Sequence, residues 1–89
     1  MSQELLATST KELPVLRKGD SGAAVKLLQN ILMIGNFFSR DLPTGKFLDQ
    51  TELAVKNFQR QYNLQADGIV GAKTWDQLGN LLADLTYSG

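Results

Sequence analysis

From Gly22 to Ile34 apolar side chains return at Val25, Leu28 and Leu32, with Ala24, Leu27 and Ile31 widening the stripe. That spacing is the signature of a helix with one buried face. A second run sets Ala54, Val55, Phe58 and Tyr62 on an inner face, and Lys56, Asn57, Gln59 and Arg60 fall between them on the side expected to meet water. A third run, from Ala72 to Leu82, aligns Trp75, Leu78 and Leu82 with Leu81 beside them. The pattern predicts an all-α fold, a compact three-helix bundle around one core.

The punctuation agrees with three helices. Asp20 and Ser21 stand ahead of the first, where a side-chain oxygen can accept from a free amide, and Gly35 follows where a left-handed cap is expected. Asp49-Gln50-Thr51-Glu52 has capping-box spacing, which starts the second helix at Asp49. Between the helices lie a loop from Gly35 to Lys46, with adjacent Phe37 and Phe38, and a turn from Asn63 to Gly68 suited to positive φ at Gly68. One of the two rings is expected in the core. Gly79, inside the third helix at a cost of about 1 kcal/mol against alanine, marks either close packing or fraying. Residues 1–12 read as a flexible N-terminal arm, 13–85 as the domain and 86–89 as a disordered tail.

A spacing recurs ahead of the helices: Gly19-x-x-Gly22-x-x-Val25, Gly45-x-x-Leu48-x-x-Thr51 and Gly68-x-x-Gly71-x-x-Thr74. Such glycine turns give the three helix starts a similar local geometry and leave several backbone amides near the surface.

Composition narrows the chemistry. Eighty-nine residues, 43% of them hydrophobic and 20% charged, suit one globular domain. A chain of this size buries only about 60% of its unfolded surface, so a ligand site should be a shallow groove. Nine basic and nine acidic side chains cancel, which disfavours nucleic acid and anionic membrane as partners. With neither cysteine nor histidine, disulfides, thiolate chemistry, the usual zinc ligand sets and a serine triad are all excluded, and no cofactor is expected. The N-terminus lacks the basic start and the apolar run of about 7–15 residues of a signal peptide, so as encoded the chain reads as cytoplasmic. The apolar run Ile31 to Ile34 is far short of the roughly 20 residues of a membrane span. A monomer is expected.

The segment Leu16-Arg17-Lys18-Gly19-Asp20-Ser21-Gly22-Ala23-Ala24-Val25-Lys26-Leu27-Leu28-Gln29 resembles the opening signature of the peptidoglycan-binding domain family. Gly45-Lys46-Phe47 with Thr51 to Gln59 resembles its central block, and Leu64 to Leu78, containing Asp67-Gly68-Ile69-Val70-Gly71 and Thr74-Trp75, its close. The likeness covers residues 13–82, which makes it far more specific than any of its short pieces. Two departures stand out. Thr44 and Leu48 occupy the places of an aspartate and a glycine in the family's central turn, and the loop from Asn36 to Thr44 is longer than the usual connection. The resemblance implies a three-helix, non-catalytic module that helps hold a hydrolase or related protein on the bacterial wall, in the cell envelope. Peptidoglycan or its fragments would be the ligand, through glycan or stem peptide, and a hydrolase domain or another protein the companion. A protein-interaction domain on the same scaffold is the competing reading.

The candidate ligand residues are Asp20, Ser21, Phe38, Phe47, Asp49, Thr51, Asp67, Gly68, Ile69 and Thr74. Each also has a structural reading. The three aspartates suit turns and caps, where amides and the helix dipole favour a carboxylate. Thr51 and Thr74 can tie the turns to the helices, and Phe47 can either staple a helix start or line a groove. Trp75 offers a platform for a sugar ring, yet its spacing with Leu78 and Leu82 places it on the buried stripe, as Phe58 and Tyr62 are on theirs. Glycosidase chemistry needs two carboxylates flanking a deep cleft, one with a raised pKa. These carboxylates read as solvated.

Overall fold

The computed structural model describes residues 13–38 and 43–87, the last two by backbone alone. The proposed arm, residues 1–12, lies outside the described residues. Helix α1 spans Ala23–Ile34, α2 Asp49–Gln61 and α3 Ala72–Tyr87. The third helix thus runs past Leu82 and through Thr86, where a tail was expected, and Gly79 does not end it. A Cβ at Gly79 would meet nothing within 4 Å, so close packing does not account for this glycine. Among the described residues no strand forms, only isolated bridges.

Val25, Leu28, Ile31 and Leu32 of α1, Ala54, Val55 and Phe58 of α2, and Trp75, Leu78 and Leu81 of α3 form the core, joined by Leu16, Phe47 and Val70 from the connecting segments. Leu27, about 100° round the helix from Leu28, falls off the edge of this stripe and stays exposed. Phe37 meets the edge of Phe58 at 5.3 Å between centroids, and Phe58 lies 4.9 Å from the half-buried Tyr62. Such pairs add to what burial alone contributes. Phe38 is only partly buried. Trp75 settles as a core residue whose indole N–H donates to the Pro14 carbonyl at 2.8 Å, pinning the start of the domain to α3.

The helix ends correct three expectations. The residue before α1 is Gly22 and that before α2 is Leu48, and neither helix has a side-chain cap. Asp20 instead accepts the Arg17 amide across a turn at 3.0 Å, and Asp49, one position inside α2, pairs with Lys18 at 2.6 Å. An aspartate in the first helical turn still faces the positive end of the dipole, so the cost of the missing cap is reduced. At the other end of α1, Gly35 has φ −86° and Asn36 takes the left-handed conformation, φ 67°. The Phe37 amide donates to Leu32 O and the Asn36 amide to Met33 O. Asn63, φ 60°, closes α2 in the same way, with Leu64 donating to Gln59 O and Asn63 to Arg60 O. Both are Schellman closures built on asparagine, the residue after glycine that best tolerates this region. Gly35 is small for another reason: a Cβ there would lie 2.7 Å from Leu81 Cδ2.

Residues 16–22 stitch the later turns together. Leu16 exchanges backbone hydrogen bonds with Val70, Gly19 donates to Phe47 O, Phe47 to Asp20 O, and Gly22 to Gly45 O.

Candidate functional site

Two glutamines organise the surface: Gln59, which the periodicity placed among solvated positions, and Gln29, which the helix pattern left without a role. Gln29 and Gln59 are each 1% exposed. Gln29 lies four residues after Val25 and three before Leu32, and Gln59 four after Val55 and three before Tyr62, so each is a polar group on an apolar face. Burial there requires full hydrogen bonding.

Each glutamine finds its partners in the next glycine turn and the helix that follows. Gln29 Oε1 accepts the Gly45 amide at 2.9 Å, while its Nε2 donates to Lys46 O and to Thr51 Oγ1, both at 3.0 Å, with Thr44 Oγ1 at 3.5 Å. Gln59 Oε1 accepts the Gly68 amide at 3.0 Å, and its Nε2 donates to Ile69 O at 3.0 Å, Thr74 Oγ1 at 3.1 Å and Asp67 Oδ1 at 3.2 Å. The two amide hydrogens are thus shared among three oxygens in each case. Gly45 and Gly68 have φ 79° and 78°, a conformation that turns the amide toward the glutamine and that L side chains rarely adopt. Among the described residues no buried side-chain nitrogen or oxygen lacks a partner.

The substitution of Thr44 for an aspartate is explained by this duplication. Asp67 Oδ1 accepts the Ile69 amide two residues on at 2.9 Å, and Thr44 Oγ1 accepts the Lys46 amide at 3.1 Å. A hydroxyl performs the same turn-closing task as a carboxylate, without the charge.

Grooves open above both networks. One of about 400 Å³ lies ahead of α3 and is lined by Gln59, Asn63, Leu64, Gln65, Asp67, Ile69, Gly71, Ala72, Lys73 and Thr74. Another of about 300 Å³ lies ahead of α2, with Gln29, Phe38, Thr44, Lys46, Leu48, Asp49, Gln50 and Thr51 on its walls. A third, ahead of α1, has Ser21, Gly22, Ala23, Lys26, Thr44, Gly45 and Lys46 around it and no glutamine beneath. Gly22 and Leu48 put no capping oxygen over the first amides of their helices, and neither does the glycine at 71, whose carbonyl accepts the first bond of α3 from Trp75. The grooves therefore offer donor groups at the positive ends of helix dipoles.

The ten candidate residues separate accordingly. Asp67, Ile69 and Thr74 share the groove ahead of α3, with Gly68 buried behind it; Phe38, Asp49 and Thr51 share the groove ahead of α2; Ser21 belongs to the third. Asp20 lines none of them, being engaged in its own turn. Phe47, weighed between stapling a helix start and lining a groove, is enclosed at 0% exposure in the core and lines none of the three grooves. The hydroxyls of Thr51 and Thr74 are taken by the glutamines, which makes them floor rather than contact groups. Leu64, Gln65 and Lys73 are groove residues that the sequence reading did not single out. The buried glutamines were also missed, although the pairs Leu28-Gln29 and Phe58-Gln59 carried the signal, a polar residue set directly beside the stripe in both helices.

The Lys18–Asp49 contact at the edge of this region is exposed. The Lys18 ammonium, by hydrogen bond and charge, holds the Asp49 carboxyl below its ordinary range, and Asp49 in return raises Lys18.

A family model described as "Putative peptidoglycan binding domain" matches residues 21–78. The chain belongs to the peptidoglycan-binding domain family. It is 43% identical over 70 residues to an uncharacterized protein in the bpoA1 3' region of Kitasatospora aureofaciens, covering 79% of this chain and 58% of that protein. It is 38% identical over 71 residues to a probable N-acetylmuramoyl-L-alanine amidase of Bacillus licheniformis, with 75% of this chain and 19% of the amidase covered. The crystal structure of the SleB N-terminal domain superposes with a TM-score of 0.74 at 35% identity, covering 78% of this chain and 93% of that one. The chain thus spans little over half of the first of these relatives and about a fifth of the amidase.

Proposed function

We propose that the chain binds bacterial cell-wall peptidoglycan without cutting it, through the groove ahead of α3, and holds the protein that carries it on the wall. The observation that carries this reading is a groove whose floor is immobilised by Gln59 while its rim keeps unspent polar groups. Lys73 and the first amides of α3 can meet the acetamido carbonyls of amino sugars or the carboxylates of stem peptides, and Leu64 and Ile69 supply apolar wall. A floor that needs no rearrangement lowers the ordering cost of binding. An open groove of this size supports weak, polar-rich recognition.

The absence of catalysis belongs to the same proposal. Among the described residues no three acidic side chains cluster as a metal site, and Asp49 is shifted down by Lys18, the direction opposite to that needed by a general acid. A protein partner is the competing reading, supported by Leu48 and Leu53, both 57% exposed.

Co-sedimentation with purified peptidoglycan sacculi tests the reading. Saturable retention is expected, weakened roughly tenfold by K73E, which places a carboxylate where ligand acceptors would arrive. Retention no greater than that of an unrelated acidic protein, with the fold intact by circular dichroism, would overturn wall binding and favour the protein partner.

A further inference from the structure

The groove ahead of α2 repeats the groove ahead of α3 position by position. Gln29 stands for Gln59, Thr44 for Asp67, Lys46 for Ile69, Leu48 for Gly71, Asp49 for Ala72, Gln50 for Lys73 and Thr51 for Thr74. The floors agree in bonding as well as in place: in both, the glutamine carbonyl accepts the glycine amide, and its NH2 reaches the next carbonyl and the helix threonine. The rims differ in the residues that would touch a ligand.

Those differences keep the elements of recognition while relocating them. In the α3 groove the cation is Lys73, on the helix, and the apolar wall is Leu64 with Ile69. In the α2 groove the cation is Lys46, on the turn, and the apolar wall is Phe38 with Leu48. Leu48 stands where the α3 groove has Gly71 and is 57% exposed, and the α2 groove is the smaller, about 300 Å³ against 400 Å³. Asp49 would oppose an anionic ligand if it stood free. Its carboxylate is instead held by Lys18 at 2.6 Å, which offsets its charge beside the groove.

We infer that the α2 groove is a second subsite for the same class of ligand, an acetamido sugar bearing an acidic peptide, so that one chain takes two wall fragments. The inference rests on the proposed wall binding at the α3 groove. A pair of subsites suits a ligand that is a repeating polymer, because neighbouring repeats or strands raise the effective concentration at the second site once the first is filled.

The test is a titration of the isotope-labelled chain with a soluble disaccharide–tetrapeptide fragment, followed by backbone amide shifts. Two saturating clusters are expected, one at Asp67 to Thr74 and one at Thr44 to Thr51, with two fragments bound per chain. K46Q should raise the midpoint of the second cluster by about threefold or more, and K73Q that of the first by a similar factor. Shifts confined to Asp67 to Thr74, with one fragment per chain, would overturn the second subsite while leaving the proposed function standing. Clusters that move together in both variants would identify one site sensed at two places and would equally overturn it. No saturable shift anywhere would remove the wall-binding reading itself.

Discussion

Replacing Gln59 by leucine isolates what the buried network contributes, because the two side chains have similar volume and no cavity is created. Q59L deletes the acceptor of the Gly68 amide and the donor to Ile69 O and Thr74 Oγ1, with a further contact to Asp67. Gly68 and Thr74 are buried, so their polar groups cannot turn to water without opening the turn. An orphaned buried donor or acceptor costs about 1–3 kcal/mol, and the apolar side chain recovers about 1 kcal/mol of burial. A net loss of about 3 kcal/mol follows for Q59L. The whole domain is expected to have about 4–13 kcal/mol, from roughly 0.05–0.15 kcal/mol per residue, so the variant should fold with a much reduced margin. Urea unfolding at neutral pH measures the loss, which should appear as a lower midpoint at unchanged slope. T74V removes one partner of the same amide, and the double variant should therefore lose less than the sum of the two single losses. A loss below about 1 kcal/mol for Q59L, or additive losses in the cycle, would refute the network as the support of the groove floor.

Three further outcomes follow from the packing and the charges. The same substitution should differ between two glycines: G79A should stabilise by roughly 0.5–1 kcal/mol because its Cβ meets open space in a helix, whereas G35A should be less favourable than G79A by about 1 kcal/mol or more because its Cβ requires the Leu81 side chain to shift; thermal unfolding of both variants checks this. W75F should cost about 1–2 kcal/mol by losing part of a buried ring together with the indole hydrogen bond to Pro14 O, and hydrogen exchange should show the Leu16–Val70 pairing opening more often. The lowered pKa of Asp49 means that its share of stability is present above the ordinary carboxylate value of 3.8 and lost as pH falls through the depressed one; the raised pKa of Lys18 means that its share is present below 10.5 and lost as pH rises through the raised one. The difference between wild type and D49N should therefore be greatest between those limits, and small. It should shrink in high salt because both groups are exposed, and a salt-independent difference would count against the ion pair.

Much of this molecule follows from local sequence. The stripes Val25-Leu28-Leu32, Val55-Phe58 and Trp75-Leu78 each bury one helix face, and a helix face that must leave water has few arrangements available with two others. The recurring glycine spacing was also visible in the chain, because positive φ at Gly45 and Gly68 is a local steric requirement. Helix ends were less legible. Asn36 rather than Gly35 adopts the left-handed conformation, and Gly35 instead sits against Leu81, a residue 46 positions away that no local pattern brings near. The same limit hid the site. Gln59 reads as solvated by its place in the helical period and Gln29 draws no role from it, and only the folded chain places Gly45 and Thr51, or Gly68 and Thr74, around them with matching donors and acceptors. Thr44 looked like a departure from the family's turn until its hydroxyl was seen accepting the Lys46 amide as Asp67 accepts that of Ile69. Sequence alone determined the helices, the apolar face each brings to the core and the family likeness, because these depend on periodicity and local sterics; the tertiary structure decided which connecting residues complete the core, which polar side chains are buried and where the grooves open, because packing and hydrogen-bond satisfaction depend on partners distant in the chain.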